Sequence, residues 1–385
     1  MPSVAIIMGT RPEAIKLQPV AAALRQDEAF DVVTIATGQH TDLFSDTARS
    51  LGLAPDITLS VHRGRDLNTL SASLLENLGA RLQSLRPDLV IVQGDTQSAV
   101  MGALAAGFAR IAIAHVEAGL RSGNPDAPFP EELNRRLIAR AARIHFAPTP
   151  GALDNLLREG VPPDQIAVTG NTVIDALSHH LPEPPRRPGR GGGPNRPLLL
   201  ATAHRRESWD GGMSRIAEAL VNIARRDIAD ILFILPAAPG PRAVMVRHLA
   251  GLAGVTLSNP LPYDAFLGQL ARADVVVTDS GGIQEEAAAL GIPAVILRHE
   301  SDRPESLHGG DNAASTAILA GTEVQAISDA VDRLLRLPRR RMRSLRRNPF
   351  GDGQAARRIA LALRRWFAGS RPLLLWHEEF RPERP

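Results

Sequence analysis

Residues 88–116 read DLVIVQGDTQSAVMGALAAGFARIAIAHV, and this stretch decides the fold class of the chain. The apolar run LVIV at 89–92 is typical of a strand that is buried in a parallel sheet. A helix is predicted over 96–109, and a second apolar strand follows at 111–116. A strand, a helix and a second strand in this order predict two parallel strands joined by a helical crossover.

The same alternation of strands and helices continues on both sides of this stretch. In the first half it predicts strands at 4–8, 32–37, 144–147 and 166–169 and helices at 12–25, 67–85 and 131–142. In the second half it predicts strands at 198–203, 231–235, 255–258, 274–278 and 294–297 and helices at 212–226, 241–251, 263–272, 282–290 and 323–336. We therefore predict an α/β fold with two Rossmann-like doubly wound parallel-sheet domains that face a cleft. Ligands of such sheets bind beyond the carboxyl ends of the strands.

The two predicted domains are separated by a segment that favours neither helix nor strand. Residues 182–197 are rich in proline, glycine and arginine and are predicted to be a linker. The first domain is expected over 1–181 and the second over 198–350. A last helix over 351–368 is expected to pack back on the first domain, and residues 369–385 are expected to form a loose tail.

The composition excludes several classes of protein. The 385 residues include no cysteine, which excludes disulfides, thiolate catalysis and cysteine-ligated zinc. Acidic and basic residues nearly balance at 41 and 44, and clustered arginines are typical of a solvated face, so no nucleic-acid partner is expected. No apolar run approaches the roughly 20 residues of a membrane span, and no basic leader precedes the first strand. We therefore expect a cytoplasmic protein without a membrane partner.

The first candidate site is the turn GTRPEAIK at 9–16, where the first strand passes into a helix. Backbone N–H groups at such a helix start bind anions, and Arg11 and Lys16 add positive charge. Lys16 is the only lysine among the 44 basic residues of the chain. This favours a functional role for a compact ammonium that arginine does not replace. The alternative is a tight turn with an exposed lysine.

The second candidate site is a set of carboxylates at strand ends. Asp95 and Glu117 each follow a predicted strand, while Glu131 and Glu132 begin a predicted helix. Because parallel strands end at the same edge of a sheet, Asp95 and Glu117 should converge on one site. Two carboxylates in different environments can act as general acid and general base. The alternatives are that Asp95 caps the following helix, and that Glu131 or Glu132 only favours a helix start.

The second half carries a further set of candidate residues at strand ends. His204 follows the strand at 198–203 and is a candidate to donate a proton or a hydrogen bond to a phosphate oxygen, although a lone histidine is more often structural. Residues 278–287, TDSGGIQEEA, lead through Ser-Gly-Gly into a helix, which is typical of a diphosphate-binding turn. One turn into that helix, Glu286 can accept hydrogen bonds from both hydroxyls of a ribose. Arg303 is expected to add a positive contact. A glycine turn that serves packing only is the alternative.

These segments carry a family resemblance that covers nearly everything from residue 3 to about 366. The chain resembles the bacterial non-hydrolysing UDP-N-acetylglucosamine 2-epimerases, which have the two-domain glycosyltransferase-B type fold. The motifs that carry the resemblance are GTRPEAIK (9–16), GDT (94–96), HVEAGLR (115–121), PEE (130–132), TGNTVIDAL (169–177), HRRES (204–208), TDSGGIQEEA (278–287), RPE (303–305) and NPFGDGQA (348–355).

The resemblance implies roles for residues in and near these motifs. Asp95, Glu117 and Glu131 would be the acid/base set, and His204 would be a fourth catalytic residue. The residues that would bind the UDP-sugar are Arg11, Lys16, Gln39, His40, Arg205, Phe266, Ser280, Gly281, Gly282, Glu286 and Arg303. The implied reaction is inversion of C2 of UDP-N-acetylglucosamine (UDP-GlcNAc) by loss and re-addition of UDP. A homodimer is expected, and no metal or redox cofactor is called for.

The chain departs from the family pattern at three places, and other functions stay open as alternatives. At 236–241 it reads PAAPGP, where the family usually has a histidine in a stretch that takes part in binding a second, activating substrate molecule. Leu261–Tyr263 replaces a segment that often has a glutamine near the uracil, and Ala203 replaces a glycine. The alternatives are a glycosyltransferase of the same fold, an epimerase of a modified UDP-hexosamine, a hydrolysing epimerase and a regulatory nucleotide-sugar sensor.

Overall fold

A computed structural model describes residues 1–39, 42–62, 66–181, 196–205, 209, 211–307, 317–337 and 348–382 of the chain. The contacts within the chain divide it into two compact units. The first unit contains Met1–His179 and Phe350–Pro382, and the second contains the described part of His180–Pro349. Residues 182–195 of the predicted linker lie outside the described residues, and so does His40, which the sequence predicts as a substrate ligand.

The first unit is built on a sheet of seven strands that pair in parallel. The strands are β1 (Ser3–Met8), β2 (Asp31–Ala36), β3 (Ile57–Thr58), β4 (Leu89–Gln93), β5 (Ala112–Val116), β6 (Ile144–Ala147) and β7 (Ile166–Val168). The helices that alternate with them are α1 (Arg11–Gln26), α2 (Asp42–Ser50), α3 (Leu67–Leu85), α4 (Gln97–Phe108), α5 (Glu131–Ala141), α6 (Pro150–Arg158) and α7 (Thr172–His180), with a 3-10 turn at Pro163–Gln165. The strand order in the sheet is β3-β2-β1-β4-β5-β6-β7.

The second unit repeats this plan with six parallel strands. The strands are β8 (Leu198–Thr202), β9 (Asp230–Ile234), β10 (Val255–Ser258), β11 (Val275–Thr278), β12 (Ala294–Ile296) and β13 (Ala317–Leu319), in the order β10-β9-β8-β11-β12-β13. The helices are α8 (Gly212–Arg225), α9 (Pro239–Leu249), α10 (Tyr263–Arg272), α11 (Gly281–Ala289), α12 (Pro304–Leu307) and α13 (Val324–Leu335). None of the helices described in either unit is long and apolar enough to span a membrane.

In each sheet the first strand lies between the second and the fourth strand of its unit. In the first unit β1 lies between β2 and β4, and in the second unit β8 lies between β9 and β11. The strand order therefore reverses beside the first strand, which is where ligands bind to sheets of this kind. The predicted α/β fold, with two parallel sheets and alternating helices, is confirmed.

The packing of α4 on the first sheet shows why this part of the chain folds as it does. Strand β4 is buried along its whole length, and burial of one valine or leucine side chain contributes about 1.5–3 kcal/mol. Helix α4 is rich in alanine and glycine, which brings its backbone close to the sheet. A Cβ added at Gly102 would lie 3.0 Å from Cδ1 of Ile7 and 3.3 Å from Cγ1 of Val92. The small residues of this helix therefore match the large apolar residues of the strands.

After the second unit the chain returns to the first unit through one more helix. Helix α14 (Ala355–Phe367) packs against α1, and the rings of Phe30 and Phe367 lie 6.1 Å apart. The side chain of Asp175, on α7, accepts hydrogen bonds from the first two backbone N–H groups of α14, those of Ala355 (3.2 Å) and Ala356 (2.9 Å). A carboxylate from one helix thus caps the start of another.

The prediction of a loose tail over 369–385 is wrong for the part of it that the structure describes. Leu373, Leu374 and Phe380 are buried. The backbone N–H of Phe380 donates to the carbonyl of Val168 in β7, at 2.8 Å. The prediction was based on the high proline and arginine content of this segment. Burial of these three apolar side chains stabilises an ordered conformation in spite of that composition.

Candidate active site

The turn between β1 and α1 is closely packed against the start of α4. A Cβ added at Gly9 would lie 2.0 Å from Oγ of Ser98 and 2.4 Å from Oγ1 of Thr37, so only glycine fits here. Gln39 joins the same cluster, because its Oε1 accepts hydrogen bonds from N (3.1 Å) and Oγ (2.6 Å) of Ser98. The structure therefore brings Gly9, from the predicted anion site, together with Gln39, at the start of α4.

Glu13 fixes this turn from within α1. Its buried carboxylate accepts hydrogen bonds from the backbone N–H groups of Gly9 (3.0 Å) and Thr10 (2.7 Å) and from the hydroxyl of Thr96 (2.7 Å). Burial raises the pKa of Glu13 from 4.5 to about 7, although these hydrogen bonds act in the opposite direction. Glu13 therefore joins the starts of α1 and α4 where the strand order reverses. Arg11, the first residue of α1, lies partly exposed beside this turn.

Glu117 follows β5 directly and lies at the centre of a buried hydrogen-bond cluster. Its backbone has a φ of +65°, a left-handed conformation that is uncommon for a residue with a side chain. The oxygen Oε2 of Glu117 accepts hydrogen bonds from Nζ of Lys16, Nε2 of Gln93 (3.1 Å) and Nδ2 of Asn171 (3.0 Å). All four side chains are buried. Such a cluster holds the carboxylate in one orientation, as proton transfer to or from a substrate requires.

Lys16 lies in this cluster and not on the surface of the turn. The sequence predicts it as an anion-binding ammonium close to Gly9. The structure places it 5% exposed, in an ion pair with Glu117. The only lysine of the chain therefore contacts one of the carboxylates that the sequence predicts as an acid/base residue.

Asp95 follows β4 and is held by a buried arginine of α5. The guanidinium of Arg135 approaches Oδ2 of Asp95 with Nη2 at 2.6 Å and Nε at 2.8 Å. The alternative that Asp95 caps α4 is wrong, because the cap is Thr96, whose hydroxyl accepts a hydrogen bond from the backbone N–H of Ala99 at 3.0 Å. Asp95 therefore has a side-chain contact that helix capping does not explain.

The three predicted acid/base residues belong to neighbouring elements of the first unit. Strands β4 and β5 are adjacent, and the backbone N–H of Gly94 donates to the carbonyl of Val116 at 3.0 Å. Asp95 and Glu117 therefore follow hydrogen-bonded strand ends, as the sequence predicts. Glu131 is the partly exposed first residue of α5, the helix that also supplies Arg135 to Asp95.

Glu132, the other acidic residue at the start of α5, has contacts that indicate a structural role. It is fully buried, and it accepts a hydrogen bond from the backbone N–H of Ser122 at 3.2 Å. It also forms ion pairs with Arg135 and Arg136, both at 3.2 Å. Of the two adjacent acids, Glu132 thus holds the loop before α5, which leaves Glu131 as the one with partial access to solvent.

In the second unit, Asp279 orders the segment that follows β8. Its buried carboxylate accepts hydrogen bonds through Oδ2 from the backbone N–H groups of His204 (2.7 Å) and Arg205 (2.8 Å). The ring nitrogen Nδ1 of His204 lies 3.1 Å from Oδ1 of the same carboxylate, and half of the His204 side chain is exposed. The structure thus brings His204 and Arg205 beside the end of β11, next to Ser280.

Helix α11 starts with two glycines after its N-cap residue Ser280. A Cβ added at Gly281 would lie 2.4 Å from Cζ of Arg303, so the guanidinium packs directly on this glycine. A Cβ added at Gly282 would meet nothing within 4 Å. A helix start that is supported on one side and borders open space on the other is a suitable anion site.

Arg303 is buried between two carboxylates. Its Nε lies 2.7 Å from Oε1 of Glu285, and its Nη1 lies 2.7 Å from Oδ2 of Asp302. Asp302 in turn pairs with Arg298 at 2.8 Å. The sequence predicts Arg303 as a positive contact for a ligand. In the structure its charge is balanced by these partners, and the guanidinium supports the start of α11.

Glu286 lies one turn into α11 and is oriented by the only tyrosine of the chain. The hydroxyl of Tyr263 donates to Oε1 of Glu286 at 2.8 Å, and both side chains are buried. Phe266, also on α10, is buried one turn after Tyr263. Phe266 and Glu286 therefore lie on the two helices, α10 and α11, that the hydrogen bond from Tyr263 joins.

Comparison with known proteins identifies the family. The family model described as UDP-N-acetylglucosamine 2-epimerase matches residues 22–364. The chain belongs to this epimerase family. A UDP-N-acetylglucosamine 2-epimerase from Yersinia pestis is 40% identical in an alignment of 370 positions that covers 93% of this chain and 97% of that protein. The enzyme of the same name from Escherichia coli K12 is 38% identical over 371 residues, with the same coverage of 93% and 97%. The family predicted from the motifs, and with it the isomerase class, is confirmed.

Solved structures of this epimerase family share the fold. The crystal structure of UDP-GlcNAc 2-epimerase from Neisseria meningitidis bound to UDP-GlcNAc has a TM-score of 0.87 at 32% identity and covers 95% of this chain and 100% of that chain. The enzyme from Methanocaldococcus jannaschii in complex with UDP-GlcNAc and UDP has a TM-score of 0.83 at 32% identity, with coverage of 94% and 99%. A spinosyn rhamnosyltransferase, at 16% identity and a TM-score of 0.50 over 94% and 95% of the chains, shares the fold alone.

Four residues of this 2-epimerase chain were not singled out from the sequence, although the structure places them in the candidate site. Gln93 and Asn171 stand at or just after strand ends, and residues in such positions lie at the ligand-binding edge of a parallel sheet. The same argument that singled out the acidic residues therefore also applies to these two amides. Glu13 and Arg135 lie inside helices, where the sequence spacing does not indicate a partner on another element. These four residues contact the predicted catalytic groups or the turns that carry them.

Proposed function

We propose that this chain converts UDP-GlcNAc reversibly to UDP-N-acetylmannosamine by eliminating UDP to form a glycal and adding it back. The observation that carries the proposal is the buried carboxylate of Glu117, held at Oε2 by Lys16, Gln93 and Asn171. The family membership and the relatives whose solved structures contain UDP-GlcNAc support the choice of substrate.

The order of steps follows from the acidity of the substrate. The C2 proton of an N-acetylhexosamine is not acidic, so UDP leaves first with the electrons of the C1–O bond. The oxocarbenium ion that remains makes the C2–H bond acidic, and a carboxylate removes that proton while the C–H electrons form the C1=C2 bond of the glycal. A proton then returns to C2 from the opposite face, and a diphosphate oxygen of UDP attacks C1.

Inversion at C2 requires a proton donor or acceptor on each face of the ring, unless the glycal moves. We assign these roles to the set Asp95, Glu117 and Glu131, which belong to adjacent elements of the first unit. Asp95 is oriented by Arg135, and Glu117 is oriented by its three donors. Different surroundings for two carboxylates are the usual way in which one serves as acid and the other as base.

The departing UDP is assigned to the second unit. The start of α11, with Ser280, Gly281 and Gly282, would bind the diphosphate through backbone N–H groups, and Glu286 would bind the ribose. His204, half exposed beside Asp279, would stabilise the negative charge that develops on the leaving group. We expect the enzyme to act as a cytoplasmic homodimer that supplies cell-surface polysaccharide synthesis.

Incubation with UDP-GlcNAc in D₂O, without any acceptor sugar, tests the proposal. We expect deuterium at C2 in both UDP-linked sugars, detected by NMR and mass spectrometry. Free N-acetylmannosamine would instead identify a hydrolysing epimerase, and turnover only with an acceptor would identify a glycosyltransferase. If deuterium entered C2 of a modified UDP-hexosamine but not C2 of UDP-GlcNAc, the modified sugar would be the substrate. The Glu117→Gln variant, purified in the same way, controls for contaminating enzymes.

A further inference from the structure

We propose that Asn171 is a positioning residue that holds Glu117 in the orientation needed for proton transfer. The inference rests on the proposed function of Glu117. Asn171 lies between β7 and α7 with only 1% of its surface exposed. Its Nδ2 donates a hydrogen bond to Oε2 of Glu117 at 3.0 Å, although the two residues are 54 positions apart in the chain.

The orientation of the Asn171 amide is fixed by the helix that follows it. The side-chain oxygen Oδ1 accepts a hydrogen bond from the backbone N–H of Val173, in the first turn of α7, at 3.1 Å. An amide has one acceptor end and one donor end, so the contact with a backbone donor turns the NH₂ group toward the carboxylate. The cap of α7 therefore determines that Glu117 receives a donor.

The backbone of Asn171 is held as well, by the segment with which the chain returns to the first unit. The N–H of Asn171 donates to the carbonyl of Phe350 at 2.7 Å, and Phe350 is fully buried. A Cβ added at Gly351 would lie 3.3 Å from both N and O of Asn171, so this segment packs directly on the Asn171 backbone. Asn171 is thus fixed at its side-chain oxygen and at its backbone before it contacts Glu117.

Within the part of the chain that the structure describes, three donors to Glu117 come from three separate elements of the first unit. Lys16 belongs to α1, Gln93 ends β4, and Asn171 precedes α7. Lys16 supplies charge, whereas the neutral amide of Asn171 supplies direction alone. A residue of this kind is expected to affect the chemical step more than substrate binding, because Glu117 meets the substrate at C2 and not at the nucleotide.

Two substitutions separate this role from helix capping. Serine is a good N-cap, so Asn171→Ser keeps the acceptor for α7 but is too short to reach Glu117. Asn171→Asp keeps the cap and places a second carboxylate opposite Glu117, which makes protonation of the pair more favourable. The matched control is Asn155→Ser, because the amide of Asn155 donates at 2.9 Å to the backbone carbonyl of Gly119 and not to a carboxylate.

The kinetic readout is kcat, KM and the pH profile of C2 exchange with UDP-GlcNAc. We expect Asn171→Ser to lower kcat about 10- to 100-fold with KM changed less than about twofold, as for loss of a hydrogen bond to a charged group. We expect Asn171→Asp to move the pH profile of kcat upward by about one pH unit, and Asn155→Ser to change neither kcat nor the profile. An unchanged kcat in Asn171→Ser, or an equal loss in Asn155→Ser, would overturn the proposal.

A structural readout keeps the test independent of the reaction. Crystal structures of the full-length wild-type and Asn171→Ser proteins should show that the Glu117 carboxylate rotates away from its wild-type position. If the wild-type protein gave no deuterium at C2, the proposed function would fail, and the two crystal structures would still decide whether Asn171 orients Glu117. A Glu117 side chain in the same place in both structures would refute the positioning role.

Discussion

The guanidinium of Arg135 forms an ion pair with the carboxylate of Asp95, and its Nη2 lies 2.6 Å from Oδ2. The side chain of Arg135 is only 3% exposed. The contact comes from α5, the helix whose first residue is Glu131. One helix therefore carries one of the proposed acid/base residues and orients another. Arginine suits this position because its planar guanidinium presents several donors in a fixed arrangement.

Substitution of Arg135 by lysine should lower kcat at least about tenfold, because an ammonium cannot reproduce the contacts of Nε and Nη2 with Asp95. The neighbouring Arg136→Lys variant is the matched control. Arg136 also forms an ion pair with Glu132, at 3.2 Å, but its side chain is 44% exposed. C2 exchange rates and melting temperatures of both variants distinguish a catalytic loss from a loss of stability.

Replacement of Glu117 by glutamine should lower kcat by about 10²–10⁴, the usual contribution of a general acid or base. UDP affinity, measured by calorimetry, should change little, because the nucleotide is assigned to the second unit. Glu159→Gln serves as the control, since Glu159 pairs with Arg121 at 2.7 Å and does not belong to the Glu117 cluster. Retention of C2 exchange in Glu117→Gln would contradict the assignment.

Glu13 should make the protein less stable as the pH rises from about 4.5 to about 7. Burial raises its pKa in the folded state to about 7, whereas the unfolded chain loses the proton near 4.5. Over this range the folded state binds more protons, so the free energy of unfolding falls with pH, by on the order of 3 kcal/mol in total. Glu13→Gln keeps an oxygen for the N–H groups of Gly9 and Thr10 and removes the titration. In urea unfolding, the stability of the variant relative to wild type should rise across this range, and a constant difference would disprove the effect.

The cap that Asp175 provides to α14 should be measurable as local stability. Asp175→Asn removes one of the two acceptors that bind the N–H groups of Ala355 and Ala356. Loss of such a cap costs about 1–2 kcal/mol. Hydrogen exchange should become faster for the amides of 355–367 in particular, while the exposed Asp154→Asn change on α6 should leave them as they are. Uniformly faster exchange throughout the first unit would show that Asp175 does not act on α14 alone.

The hydrogen bond from Tyr263 to Glu286 should contribute to UDP binding if Glu286 binds the ribose. Tyr263→Phe removes only the hydroxyl, so we expect the Kd for UDP to rise about 3- to 10-fold. The adjacent Asp264→Asn variant, which alters a residue that pairs with His180 at 3.2 Å, should bind UDP like the wild type. Equal affinities for Tyr263→Phe and wild type would show that Glu286 does not depend on this donor.

Two features of the candidate residues were predictable from sequence: the strand or helix to which each one belongs, and the edge of the sheet at which it lies. The apolar run of β4 and the small residues of α4 specify a buried strand and a close-packed helix, and a residue that follows a parallel strand must lie at its carboxyl edge. Asp95, Glu117 and His204 are found at strand ends for this reason. The strands β3 and β13 were missed, whereas the three-residue strands β7 and β12 were predicted from the slightly longer apolar runs that contain them, at 166–169 and 294–297.

The partner of each side chain was not predictable, because it depends on how distant elements pack. Lys16 and Glu117 are 101 positions apart, and no local pattern connects them. Arg303 has the charge expected of a ligand contact, but Glu285 and Asp302 surround it in the folded unit. The burial of Phe380 likewise depends on a partner in β7. Local sequence thus indicates where a group lies, and tertiary packing determines what it contacts.

Because its single lysine is buried against Glu117, this protein should react only slowly with reagents that modify amines. Apart from the terminal amine, an acylating or biotinylating reagent meets one target, and that target lies in the proposed catalytic cluster. Lysine-directed cross-linkers and resins will therefore find almost nothing to couple on the surface. The rate of acylation of Lys16, followed by mass spectrometry, would measure how often the interior around Glu117 opens to solvent.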